Sequence, residues 1–212
     1  MKVLYFLGAF NANQEITPVG TQMAAFPLEP HHSRSVVASK EFGCTKELLD
    51  IIAILATTSS TPFVDMTDQR DEVAEAHKIF RHTTGDHMTI LNVVNAYREI
   101  YESETRAASR DWCRKHFLNE RVLQEATKIR GQLALTCRRQ GMDPDASCGA
   151  NAEPILRCIY LGLVHHTALL QPDRSYKQVM GQSVCGMVCG ILHFVNYICS
   201  GRQTSSKVDA VR

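Results

Sequence analysis

The chain has 212 residues, of which 44% are hydrophobic and 21% charged, the composition of an ordinary globular protein able to bury one or two cores. Lys and Arg number 23 against 22 Asp and Glu, so the net charge of +1 carries no global basic signature for nucleic acid. No stretch reaches the roughly 20 apolar residues of a membrane span, and the run near Met187–Cys199 is interrupted by His193 and Asn196.

In chain order, residues 1–10 read as helical, Asn11-Ala12-Asn13 as a turn and Glu15-Ile16-Thr17 as a short extended piece. Pro18 opens a helix that carries Met23 to Phe26, and Phe26-Pro27-Leu28-Glu29-Pro30 breaks it. A helix over His31–Phe42 stops at Gly43, and Thr45 is expected to cap the next, Lys46–Thr57, which buries Leu48, Leu49, Ile52 and Leu55. A polar loop follows at Thr57–Pro62, then a polar helix near Asp68–Arg81. Asp86 is expected to cap a helix over His87–Tyr101 with Ile90, Leu91, Val94 and Tyr97 on its apolar face. Glu102–Ser109 reads as a charged linker. Two helices, Arg110–Phe117 and Asn119–Gln140, are predicted with a kink at Leu118-Asn119. A loop over Gly141–Asn151 leads to an apolar helix at Glu153–His166. At Ala168 the period changes, and Leu169-Leu170-Gln171 with Tyr176-Lys177-Gln178-Val179 predicts a hairpin.

The charge is unevenly placed. Residues 106–139 hold nine Lys and Arg against Asp111, Glu120 and Glu125, which makes +6, so the remainder must carry −5. On a helix from Asn119, the residues Val122, Ala126, Ile129, Leu133 and Cys137 share one face. Arg121, Lys128, Gln132 and Arg139 share another, because steps of seven and eleven residues nearly close whole turns. Such a stripe suits a sugar–phosphate strand, and equally an acidic protein surface or plain solvent.

Eight cysteines are scattered without paired spacing, and Met1–Gly8 is too short for a signal peptide, so reduced thiols are expected. Cys113-x-x-His116 and Cys185-x-x-x-Cys189-x-x-x-His193 hint at a metal, but neither has the Cys-x-x-Cys spacing of structural zinc, and no metal site is assigned. Trp112 reads as a packing residue, with base stacking as the sharper alternative. His87 and Thr89 read as organisers of a helix start, and His31-His32 and His165-His166 as surface or helix-end residues.

Several segments, in one order, resemble the helicase-associated, or ratchet, region of DEAH-box RNA helicases. They are Leu4-Tyr5-x-Leu7-Gly8-Ala9 with Ile16-Thr17-x-x-Gly20-x-x-Met23-Ala24-x-Phe26-Pro27-Leu28-x-Pro30, then Phe42-Gly43-Cys44-x-x-Glu47-Leu48-Leu49-x-Ile51, then Gly85-Asp86-His87-Met88-Thr89-x-Leu91-Asn92-Val93. Trp112-Cys113-x-x-x-Phe117-Leu118-Asn119-x-Arg121-x-Leu123-x-x-Ala126-x-x-Ile129-Arg130-x-Gln132-Leu133, Ile155-Leu156-Arg157-Cys158 and Leu170-Gln171-Pro172-Asp173-x-Ser175-Tyr176 complete the set, over roughly residues 1–184.

The resemblance implies a mainly α protein: a truncated winged helix over 1–30, a ratchet bundle over 31–167, an incomplete OB-fold hairpin over 168–184 and a divergent tail over 185–212. It implies contact with single-stranded RNA and with helicase motor domains, a protein cofactor as a further partner, and no membrane. Arg121 and Asn119 match the family pattern. Lys128, Gln132 and Arg139 join them on helix geometry. Arg130 also matches, but it projects away from the Arg121 face, and a structural role is equally open. The family's ATP and magnesium have no counterpart here. Gly-x-x-x-x-Gly-Lys-Ser/Thr and Asp-Glu-Ala-His are absent, and the nearest look-alike, Asp71-Glu72-Val73-Ala74, lacks the His. Ribosome assembly or pre-mRNA splicing is the implied setting, in nucleus or nucleolus, with the cytoplasm open. Three rivals stand beside this reading: a helical protein-interaction module, an enzyme built on the Cys and His inventory, and a chain too truncated to fold.

Overall fold

A computed structural model of the chain describes residues 2–64 and 66–164, together with the backbone of three short strands beyond them. Helix α1 spans Lys2–Phe6. It stops earlier than the sequence suggests because Gly8 takes a left-handed φ of 74° and sends Phe10 back to bridge Ile16. The turn between them is closed by Asn11, whose Oδ1 accepts from the backbone of Asn13 and Glu15. Helix α2 is Pro18–Ala24, with Thr17 accepting from Gly20 N at 3.0 Å. Gly20 has to be glycine, because a Cβ there would collide with the Ala9 carbonyl.

Helix α3, Pro30–Phe42, ends on left-handed Gly43 at φ 63°, as the sequence predicts. Helix α4, Thr45–Leu55, has Cys44 rather than Thr45 at its cap position, with no side-chain cap bond; the Thr45 hydroxyl accepts instead from Ser39 at 3.1 Å. A single 3-10 turn at Thr67–Gln69 leads into α5, Arg70–Lys78. Helix α6, Asp86–Ser103, starts one residue earlier than expected. Gly85 at φ 127° takes the cap position, Asp86 becomes the first helical residue, and no side chain caps the end. Thr89 organises this start, donating to Gly85 O and accepting from His82 N at 3.0 Å.

Helix α7, Arg106–Lys115, occupies much of the expected linker. Between it and α8, Glu120–Arg139, the chain turns sharply at Phe117, where φ is 51°. Leu118 then bridges Phe63, and Asn119 N donates to Pro62 O at 2.8 Å. Helix α9, Ala152–Gly162, is shorter than predicted; His165 and His166 lie outside the described residues. Strands β1 (Ala168–Leu170), β2 (Tyr176–Gln178) and β3 (Ser183–Val184) pair antiparallel in that order, with Leu169 opposite Lys177. Residues 171–175, between the two arms of the expected hairpin, and the tail after Val184 lie outside the described residues.

Helix α4 is the central rod. Leu48, Leu49, Ile51 and Ile52 enter a first core with Met23, Phe26, Val36, Leu133, Cys137 and Ile155. Ala53 and Ile54 enter a second with Phe80, Ile90, Val93, Tyr97, Val122 and Leu123. Nearly every side chain of α4 is buried, Glu47 and Asp50 included, so the helix runs through the interior of the bundle. Burial of this kind contributes about 1.5–3 kcal/mol per large aliphatic side chain. Helices α3 and α9 pack closely because Gly162 leaves room for the His31 carbonyl and the Ser35 hydroxyl, where a Cβ would clash with both. Trp112 is half-buried against the second core, edge-on to Phe80 with ring centroids 5.8 Å apart, so its role is packing.

Candidate nucleic-acid interface

The site rests on α8. Its apolar residues Val122, Ala126, Leu133 and Cys137 are buried, which fixes the rotation of the helix. With that face inside, Arg121, Lys128, Gln132 and Arg139 all come out exposed on the side the periodicity predicts. None of the three cations forms an ion pair among the described residues. Two other residues share the stripe: Glu125, exposed, and Leu135, which is 53% exposed. The surface is thus a cationic row with one acidic break and one apolar side chain.

Asn119 stands at the head of the stripe with a structural duty. Its Oδ1 accepts from Arg121 N at 3.1 Å, capping α8 and satisfying one of the free N–H groups of the first turn. Arg130 lies on the other side of α8. Its Nε donates to Asp50 Oδ1 at 2.9 Å, and Arg98 Nη2 donates to the same oxygen at 2.6 Å. Asp50 is only 2% exposed, so its carboxylate needs these partners. The structure therefore gathers Arg121, Lys128, Gln132 and Arg139, places Asn119 as their helix cap, and ties Arg130 into a clamp between α4, α6 and α8.

Pairing also sorts the wider basic segment. Arg110 meets Glu120 at 3.4 Å, Arg114 meets Asp111 at 3.3 Å, and Arg138 meets Asp145 at 3.5 Å. With Arg130, four of the nine cations in 106–139 form ion pairs among the described residues, and the stripe holds three of the other five. Asp50 and Arg98 were not singled out in the sequence. The available signal was a lone Asp within Leu48-Leu49-Asp50-Ile51-Ile52, which a fully buried helix tolerates only with a cation opposite.

The cysteine and histidine groups are built for packing. Burial pushes the Cys113 thiol up to about 12 and Cys137 up to about 11, so neither is a ready nucleophile. Cys44 and Cys158 face each other with sulfurs 3.5 Å apart, both fully buried. His116 Nδ1 lies 2.8 Å from the Trp112 carbonyl. Among the described residues, no group of three or more His, Cys, Asp or Glu is arranged to hold a metal ion. The Cys185, Cys189 and His193 set lies outside them. No helix of the described residues is long and apolar enough to cross a membrane.

Two family models match the chain: "Helicase associated domain (HA2), winged-helix" over residues 1–28 and "Helicase associated domain (HA2), ratchet-like" over residues 29–90. The human ATP-dependent RNA helicase DHX33 is 34% identical over 176 residues, covering 82% of this chain and 24% of the human protein. The probable ATP-dependent RNA helicase DHX35 homolog of Caenorhabditis elegans is 34% identical over 182 residues, 84% of this chain and 24% of its own length. DHX33 of Drosophila melanogaster is 31% identical over 182 residues, 85% of this chain and 25% of its own length. The chain spans about a quarter of the length of these curated relatives. Taken with the helical bundle they match, these similarities show that the chain belongs to the helicase-associated (HA2) region of the DEAH-box RNA helicases.

Proposed function

We propose that this chain supplies the ratchet-type RNA contact of a DEAH-box RNA helicase, gripping single-stranded RNA along α8 while motor domains carry ATP and magnesium. One observation carries the reading: in a relative of RNA helicases, Arg121, Lys128 and Arg139 stand exposed in one row without an ion pair among the described residues. Gln132, between Lys128 and Arg139, adds an amide that can bond a sugar hydroxyl or a base edge. Asn119 acts through the helix start it caps, and Arg130 through the clamp on Asp50. Residues 168–184 open an OB-fold in this reading. The setting is ribonucleoprotein remodelling in the nucleus or nucleolus, in ribosome assembly or splicing. The chain alone binds RNA weakly and does not unwind it.

The test is binding of a fluorescent oligouridylate across a salt series. Three cations on a single strand give a log–log slope of about −2, and Arg121→Ala lowers its magnitude by about 0.7 while weakening binding several-fold. Binding that ignores salt, or that Arg121→Ala leaves unchanged, sinks the proposal.

A further inference from the structure

The cations of the α8 stripe are unevenly spaced. Lys128 follows Arg121 by two turns, but three turns separate it from Arg139, a gap of about 16 Å along the helix axis. Two uncharged members of the row, Gln132 and Leu135, fill that gap. The other large aliphatic side chains of α8 turn inward: Val122, Leu123 and Leu133 are buried and Ile129 is partly buried, whereas Leu135 is 53% exposed. One exposed leucine is ordinary on a protein surface and carries nothing alone.

A second observation lies one turn back. Gly131 is exposed and sits about 40° from Leu135 round the helix, on the flank of the stripe. A Cβ added there meets nothing within 4 Å, in contrast to Gly20 and Gly162, where a Cβ would clash. No left-handed φ calls for glycine at this position either. Glycine is the poorest helix former after proline, and nothing in the packing of this chain requires it in the middle of α8. What it leaves is open space. A shelf of bare backbone adjoins the apolar side chain of Leu135, with the Gln132 amide beside it and Lys128 and Arg139 at its two ends.

A nucleobase complements this set of groups. A strand held by its phosphates at Lys128 and Arg139 carries sugars and bases across the gap between them. A base has a flat, uncharged face for the shelf and for Leu135, and polar edges for an amide. An acidic protein segment would match the cations but has no use for a flat shelf. We infer that the notch of Gly131 and Leu135 seats an unpaired purine base, which makes Leu135 a specificity-determining residue of the stripe. The inference rests on the RNA reading given above. Purines are favoured because they lay more apolar face on Leu135 than pyrimidines do.

The experiment compares labelled oligoadenylate, oligouridylate and an abasic ribose–phosphate strand of one length, on the full chain, across a salt series. The parent chain binds oligoadenylate about fourfold more tightly than oligouridylate and the abasic strand most weakly, with one salt slope for all three. Leu135→Ala weakens oligoadenylate about fourfold at every salt concentration, keeps the slope, and leaves the abasic strand unaffected. Gly131→Gln fills the shelf and removes the adenylate preference, while its melting temperature stays at or above that of the parent, because glutamine is the better helix former. Salt-sensitive binding that does not distinguish the three strands, or a preference that survives either substitution, overturns the inference and leaves the RNA reading standing. So does an equal loss on the abasic strand in Leu135→Ala, which would assign that side chain a structural role. A blocked Asp-Leu-Asp-Leu peptide that binds the parent but not Leu135→Ala, and displaces oligoadenylate, gives the notch to a protein segment instead. A parent chain that binds no strand overturns both.

Discussion

Helices α4 and α8 both carry charge, and they treat it in opposite ways. Glu47 and Asp50 on α4 are 7% and 2% exposed, and each is tied down. Glu47 takes the Ser147 hydroxyl and the Cys148 backbone N–H, pinning the loop before α9, while Asp50 takes two arginines. On α8, Arg121, Lys128 and Arg139 stand in water and pair with nothing among the described residues. A charge taken out of water must be compensated inside the fold, whereas one left in water remains available to a partner. The comparison separates cations held inside the fold from cations left in water more cleanly than charge counting over residues 106–139 does.

The largest effect that sharpens this contrast falls on α4 itself. Ile52→Ala, at a site 1% exposed, costs about 3 kcal/mol in chemical denaturation, whereas Arg121→Ala on α8 stays within about 0.5 kcal/mol. Arg130→Ala comes next. It leaves Asp50 with Arg98 alone and costs about 2 kcal/mol, so a value near zero would break the distinction between the two kinds of arginine.

The smallest effect is read in pH. Burial first, then the neighbouring His31 and His87, lower His32 from 6.5 to about 4. The unfolded chain then binds a proton at His32 that the folded chain refuses between those values. Stability from this group is whole above about 6.5 and declines as pH falls towards about 4. His32→Gln flattens the melting-temperature profile in that window; an unchanged profile would mean that His32 titrates normally.

Much of the site was legible because it is local. The row of Arg121, Lys128, Gln132 and Arg139 follows from a 3.6-residue period once Val122, Ala126 and Leu133 choose the inside. Gly43 stops α3 for a reason visible in one residue. What could not be read was long-range or set by backbone angles. Asp50 meets Arg98 48 positions away and Arg130 80 positions away, and no window along the chain joins them. Asp86 looked like a cap, but Gly85 can take a φ of 127° that a side chain resists. The break between α7 and α8 was anticipated at Leu118-Asn119 as a kink. It is a left-handed Phe117, held because its carbonyl accepts from Val64 N at 2.9 Å.

That corner has a mechanical consequence. Asn119 N to Pro62 O and Val64 N to Phe117 O stitch the head of α8 to the 62–64 segment by main-chain bonds, at 2.8 and 2.9 Å. Arg121 follows two residues later. A load hung on that guanidinium is carried straight into a fixed point, while the far end of the same rod near Arg139 has no such stitch to that segment. The head of the rod is held by main-chain bonds and its far half by the burial of Leu133 and Cys137 and by the Arg130–Asp50 pair, so a pull on its row of cations passes into both cores.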